Sequence, residues 1–381
     1  MRILVAPDSF KGSLSSQKAA AIMARAAYLI FPQAEITLCP LADGGEGTLR
    51  VIEKLLSAKR QRVTVFDPLC RERNTWWLKQ GETAYLELAQ AAGLTLVSPQ
   101  ERNPLKTTTF GVGQMLRKAA ESGCQEIYLG VGGSATNDGG IGALTALGVR
   151  FIDRFGRLIW PGKGEDLERI GKIDLAGLPK EWQRIRVTVL TDVRNGLTGP
   201  EGAAAVYAPQ KGASPDDVKR LEHGLKHYAK LVKRSSGVSM EKIPGAGAAG
   251  GIAGGLYAFL GAKIVSGVET ILKLSQFEDK LKGTDLVLTG EGKLDYQVGY
   301  GKALSAVFLL AEKYQVPVIV FAGSISPEAY RMFQKKPVSL FSIMPSPVSL
   351  KTAMQEGETF LYHQVQQVLR VYGYGRKKQE V

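Results

Sequence analysis

The chain has 381 residues, 44% of them hydrophobic, which is enough for two or three domains with substantial cores and too apolar for a disordered protein. Lysine and arginine outnumber aspartate and glutamate by 49 to 36, and the formal charge of +13 favours anionic partners. The aromatic residues are not interleaved with the basic ones as a base-stacking platform requires, so no nucleic-acid partner is expected, and Arg376-Lys377-Lys378 reads as a solvated tail.

Cys39, Cys70 and Cys124 form neither a disulfide framework nor a CxxC metal pair, which points to a reducing compartment. The apolar run after Met1 is broken by Pro7-Asp8, and no stretch has the roughly 18 uncharged apolar residues of a spanning helix. A cytoplasmic protein with no membrane partner is expected.

Residues 3–6 read as a buried parallel strand ending in Pro7-Asp8-Ser9-Phe10-Lys11-Gly12-Ser13, after which Ser15 or Ser16 can cap a helix to about residue 31. Residues 36–40 repeat the strand, Ala42-Asp43-Gly44-Gly45-Glu46-Gly47-Thr48 the turn and 49–56 the helix, and 63–66 give a third short strand. The pattern changes after Asp67-Pro68, where 75–79 and 83–88 look like a hairpin that a purely doubly wound domain would not contain. A helix near 112–120, strands at 127–129 and 187–190, and a charged amphipathic helix at 215–234 follow. Simple alternation resumes with a strand at 285–289, a helix at 303–313, strands at 318–321 and 339–344, and a last helix at 352–371. The predicted fold is α/β with two α/β domains. A flavodoxin- or Rossmann-like parallel-sheet domain is built from both chain ends (1–67 and 281–381), and a mixed α/β domain (68–280) is inserted.

Open parallel sheets bind ligands outside the carboxyl ends of their strands, so the polar residues just after each apolar run are the ones to collect. They are Asp8, Asp43 with Glu46, Asp138, Asp192, and Glu291 with Asp295, joined by Lys11, Lys293 and Lys302. The densest stretch, Gly130 to Gly140, packs five glycines with Ser134, Thr136, Asn137 and Asp138 behind an apolar strand, a pattern that suits an anion or a polyol. His223 and His227 lie four apart on a charged helix but lack an HExxH arrangement, and exposed helix histidines are the simpler account. No G-x-S-x-G elbow and no G-x-x-x-x-G-K-[ST] loop occurs. Proton transfer therefore falls to Asp or Glu. Carboxylates for Mg²⁺, glycine turns for phosphates and lysines to offset charge are the requirements of phosphoryl transfer. Gly245-Ala246-Gly247-Ala248-Ala249-Gly250 fits G-x-G-x-x-G without an apolar strand ahead of it, and reads either as a nucleotide turn or as close helix packing. Asp192 ends a fully apolar strand, and Lys211 sits on the glycine-flanked turn Pro209-Gln210-Lys211-Gly212-Ala213.

Taken together, Ala6-Pro7-Asp8-Ser9-Phe10-Lys11, Ala42 to Thr48, Gly132-Gly133-Ser134-Ala135-Thr136-Asn137-Asp138-Gly139-Gly140, Pro209 to Ala213, Pro244 to Gly251 and Thr289-Gly290-Glu291-Gly292 resemble the class I bacterial glycerate kinases over nearly the whole chain. The resemblance implies ATP- and Mg²⁺-dependent phosphorylation of D-glycerate, with 2-phosphoglycerate the favoured product, and a split two-domain architecture. The chain departs from the family pattern in Gly196, where proline usually follows Asn195, and in Tyr300 of Tyr300-Gly301-Lys302, where the family has histidine.

Strand-end position and residue type then assign roles in a cleft between the domains. Asp192 accepts the substrate proton, and Lys11 and Lys211 offset phosphate or carboxylate charge. Asp43, Glu46 or Asp295 holds Mg²⁺. Asp8, Ser9, Gly132, Gly133, Ser134, Thr136, Asn137, Glu291 and Lys302 bind substrate or phosphate. The competing expectations are an NAD(P)-dependent dehydrogenase of a small hydroxy acid, resting on Gly245 to Gly250, and a basic nucleic-acid-binding protein. The sequence assigns no oligomeric state.

Overall fold

A computed structural model describes residues 1–294, 303–334 and 336–377. Its strands are β1 (Arg2–Val5), β2 (Glu35–Leu38), β3 (Lys59–Phe66), β4 (Glu72–Gln80), β5 (Thr83–Glu87), β6 (Glu126–Gly130) and β7 (Arg150–Asp153). They continue with β8 (Leu158–Ile159), β9 (Ile170–Asp174), β10 (Arg186–Leu190), β11 (Lys263–Val265), β12 (Leu286–Leu294), β13 (Val318–Ile325) and β14 (Val338–Ser342). The chain divides into two compact units, one formed by residues 1–43 and 268–381 and the other by residues 44–267.

The outer unit is an all-parallel sheet in the order β2-β1-β12-β13-β14, which is the flavodoxin order 2-1-3-4-5 when its strands are numbered within the unit. The period-2 alternation of a strand explains how it is covered. Ile3 and Val5 face a core with Leu286, Leu288, Leu361, Val365 and Leu369, which brings the helices Ser16–Ile30 and Gly357–Lys377 onto one side. Leu4 and Ala6 face the opposite core, with Val287, Val320, Val307 and Phe308 of the helix Ala303–Lys313. Ser15 is the residue that caps the first helix, accepting from the Lys18 amide at 3.2 Å. Thr289 Oγ1 donates to the Ala6 carbonyl at 2.6 Å, so the end of β1 is tied to the middle of β12 where strand order reverses.

The inner unit has a six-stranded sheet, β11-β10-β6-β5-β4-β3, in which the first four strands are parallel and the last two antiparallel, and a small antiparallel sheet, β8-β7-β9. The expected hairpin is present as β4 and β5, paired from Leu78↔Tyr85 to Gln80↔Thr83. The strand expected at 63–66 differs from its reading as part of the first domain. It is the end of β3, which pairs β4 along its whole length from Lys59↔Lys79 to Phe66↔Glu72. The change of unit therefore falls at 43/44 and 267/268 rather than at 67/68 and 280/281. Among the described residues, no helix is long and apolar enough to cross a membrane.

Candidate active site

The topological switch between β1 and β12 gathers the outer unit's acidic residues. Asp8 donates its amide to the Gly290 carbonyl at 2.8 Å, and its Oδ1 accepts from the Ser9 amide at 2.6 Å. Burial and then the neighbouring Asp43 carboxylate push Asp8 up to about 6, with Ser9 and Lys11 opposing. Asp43 follows β2 and meets Lys11 Nζ at 3.7 Å, a pair in which the lysine is 82% exposed and so little constrained. Gly292 passes close to this turn, since a Cβ there would lie 3.3 Å from the Lys11 amide nitrogen. Glu291 and Lys293 stand on the same strand end, in register with Ala322 and Ser324. Asp295 and Lys302 lie outside the described residues.

In the inner unit the register Glu87↔Gly130↔Leu190 and Leu190↔Val265 places four strand ends on one line. Asp192 follows β10, and its Oδ1 accepts from Ser266 Oγ, just past β11, at 2.5 Å. Next to it runs the glycine-rich loop after β6. The Gly132 amide is spent on the Gly44 carbonyl at 3.1 Å, whereas Gly133 is exposed and Ser134 is 7% exposed. Thr136 and Asn137 are fully buried, with Asn137 Nδ2 on the Ala203 carbonyl, while Thr136 Oγ1 and Asn137 Oδ1 have no hydrogen-bond partner among the described residues. Asp138 is equally buried. Its oxygens accept from Thr109 (amide 2.8 Å, hydroxyl 2.7 Å), Gly140 and Gly142, which makes it the brace of the loop, and burial raises its pKa.

Lys211 also differs from its expected place at a phosphate. It is 2% exposed and donates to Ser134 Oγ at 2.8 Å and to the Thr136 carbonyl at 2.7 Å. Burial lowers it to about 7, against the opposing charge of Asp138.

Two further residues were not singled out in the sequence. Glu87, the last residue of β5, is 1% exposed and accepts from the Gly47 amide at 3.2 Å and the Leu49 amide at 3.1 Å, filling the N-terminus of the helix Thr48–Leu56. Burial pushes it up to about 6. Taking the polar residue that ends each apolar run would have found it. Ser266 is the other, and its sequence signal was obscured by the shortness of β11, only three residues. Glu46, on the turn that Glu87 anchors, is exposed.

The two glycine turns of the inner unit touch backbone to backbone. A Cβ on Gly132 would lie 2.4 Å from the Gly45 Cα, closer than real Cβ contacts allow. Gly132→Ala is expected to destabilise the inner unit by about 1–3 kcal/mol in urea unfolding. Gly196→Ala, whose Cβ would meet only the Glu241 carbonyl at 3.6 Å, should stay within about 0.5 kcal/mol of the parent. Equal stability of the two variants would show that the turns are not in contact.

The dinucleotide reading of Gly245 to Gly250 finds no support in the fold. Residues 240–242 ahead of it form a short 3-10 turn rather than a strand, and a Cβ on Gly247 or Gly250 would collide with the carbonyl of Gly196 (2.1 Å) or Thr136 (2.2 Å). These glycines serve close packing. His227 Nε2 lies 2.7 Å from the Ile170 carbonyl, and no group of three or more metal-ligating His, Cys, Asp or Glu side chains occurs among the described residues.

The class that these features define is an α/β enzyme working with carboxylates, ammonium groups and backbone amides at the carboxyl ends of parallel strands. A model of the glycerate kinase family matches residues 3–373, and the chain belongs to that family, which makes it a kinase. It is 42% identical over 361 residues to a glycerate kinase of Halalkalibacterium halodurans, covering 94% of this chain and 95% of that one. It is 39% identical to a glycerate 2-kinase of Escherichia coli, with 93% of each chain covered. A crystal structure described as a glycerate kinase 2 of Salmonella typhimurium LT2 matches with a TM-score of 0.83 and 38% identity, covering 99% of both chains.

Proposed function

We propose that the protein transfers the γ-phosphoryl group of ATP to the 2-hydroxyl of D-glycerate, giving 2-phosphoglycerate and ADP. The observation that carries this reading is the edge of the inner sheet. There the Asp192 carboxylate, one oxygen engaged by Ser266, stands on the strand next to a loop that presents the amides of Gly133 and Ser134. A carboxylate so placed takes the proton of the attacking hydroxyl, and the loop's N–H groups accommodate anionic oxygen. On the outer unit, Lys11 offsets charge, and Asp8, Ser9 and Glu291 hold substrate at the switch point.

The donor set suits Mg²⁺, which is held through one or two carboxylates together with phosphates and water rather than by an all-protein cage. Asp43 fits that requirement because its carboxylate is near enough to Asp8 to raise that group, and Glu46, exposed on the neighbouring turn, is the second choice. When bound, the ion neutralises charge on the transferring phosphoryl group. Asp295 and Lys302 are proposed as further metal and phosphate contacts on sequence grounds alone.

Incubation with D-glycerate, ATP and Mg²⁺ is expected to release ADP, and a ³¹P NMR spectrum of the product to show phosphate on the 2-oxygen. Reduction of NAD⁺ by glycerate in place of ADP release would overturn the reading. A signal from 3-phosphoglycerate would correct its regiochemistry.

A further inference from the structure

A lysine almost never lies fully inside a protein without a carboxylate on it. Lys211 does, since among the described residues it makes no ion pair and its two hydrogen bonds go to the neutral Ser134 hydroxyl and the Thr136 carbonyl. The Asp138 carboxylate acts on it only through space, its own oxygens being occupied by Thr109, Gly140 and Gly142. An ammonium has donors and no acceptor, so the Ser134 oxygen must accept from it and the hydroxyl hydrogen of Ser134 must point elsewhere. Among the described residues that hydrogen finds no acceptor, and neither do the amides of Gly133 and Ser134. Three donors on two successive residues of the loop after β6, of which Gly133 is exposed, are thus left without an acceptor among the described residues.

We infer that Lys211 touches no ligand and is a positioning residue. It fixes the Ser134 hydroxyl as a donor, which joins the Gly133 and Ser134 amides in binding one anionic oxygen of a phosphoryl or carboxylate group. The buried charge reaches the ligand through that hydroxyl. Because burial has brought Lys211 to about 7, an anion arriving at Ser134 favours the protonated amine, the form that is obliged to donate. The inference rests on the kinase reading above for the choice of ligands.

Calorimetric titration of the full chain with ADP and, separately, with D-glycerate tests it and tells a phosphoryl from a carboxylate oxygen. Ser134→Ala is expected to weaken one of the two about 10- to 100-fold, the range of a hydrogen bond to a charged group, and to leave the other unchanged. Ser134→Thr, which keeps the hydroxyl, should recover most of the loss. Lys211→Met should lose affinity for the same ligand, and the double variant should bind no worse than either single one, since both remove the same donor. Where circular dichroism shows that Lys211→Met does not fold, Lys211→Gln, which keeps an N–H donor for the Ser134 oxygen without the charge, should retain most of the affinity, and a loss as large as that of Ser134→Ala would overturn the positioning role. Wild-type affinity of Ser134→Ala for both ligands, or losses that multiply in the double variant, would overturn the inference. If the parent protein binds neither ADP nor D-glycerate, the kinase reading fails on its own. Inorganic phosphate then serves as the probe, and its binding lost in Ser134→Ala supports the donor site, while an absence of binding removes it.

Discussion

Asp192→Asn is expected to lower turnover on D-glycerate by at least about a hundredfold, with little change in stability. The reason is local. Asparagine keeps the shape of the side chain, and its amide oxygen still accepts from Ser266 Oγ, so the ends of β10 and β11 stay joined. What it lacks is basicity, and with three histidines in the whole chain, one of them engaged on a backbone carbonyl, the strand ends offer no imidazole to take over. Steady-state kinetics with matched thermal melts checks this, and near-normal turnover in a folded variant would take the proton-accepting role away from Asp192.

Glu87→Ala is the second large effect, this time on stability. The carboxylate satisfies two amides at the start of the helix Thr48–Leu56 in a place where water does not reach, so its removal leaves Gly47 and Leu49 without acceptors. At about 1–3 kcal/mol for each of the two stranded amides, the cost in urea unfolding is about 2–6 kcal/mol. The pH dependence has a definite sign. Folding raises Glu87 from its ordinary 4.5 to about 6, so the folded chain holds that proton more tightly than the unfolded one. Parent stability therefore falls as pH climbs from about 4.5 to about 6, and this component is missing from Glu87→Ala. A variant as stable as the parent at pH 8 would mean that the helix start is held by something else.

Much of the outer sheet was legible because buried parallel strands read as unbroken apolar runs, and Ile3 to Val5, Leu286 to Leu288 and Val318 to Val320 are nothing else. The same habit misled at Val63 to Phe66. The preceding Lys59-Arg60-Gln61-Arg62 gives no apolar signal, so an antiparallel edge strand looked like a short parallel one. Asp8 and Asp192 were chosen for their position just after a strand, and that position is what the structure shows. Lys211, Thr136 and Asn137 were also chosen by residue type, but their burial depends on tertiary contacts with Ser134, Gly250 and Ala203 that no local pattern encodes. The small sheet β8-β7-β9 left no trace at all, since a strand as short as Leu158–Ile159 has no periodicity to detect.

The position of β1 has a consequence for how the molecule is made. It lies between β2 and β12 in the five-stranded sheet, and the threonine that locks it to β12 is 283 residues further along. A ribosome therefore completes all of residues 44–267 while the opening strand and its helix still lack three of the five strands of their sheet. The nascent chain carries that apolar ribbon uncovered until the last third of the message has been read, a long-range closure of the kind that slows maturation and gives chaperones something to hold.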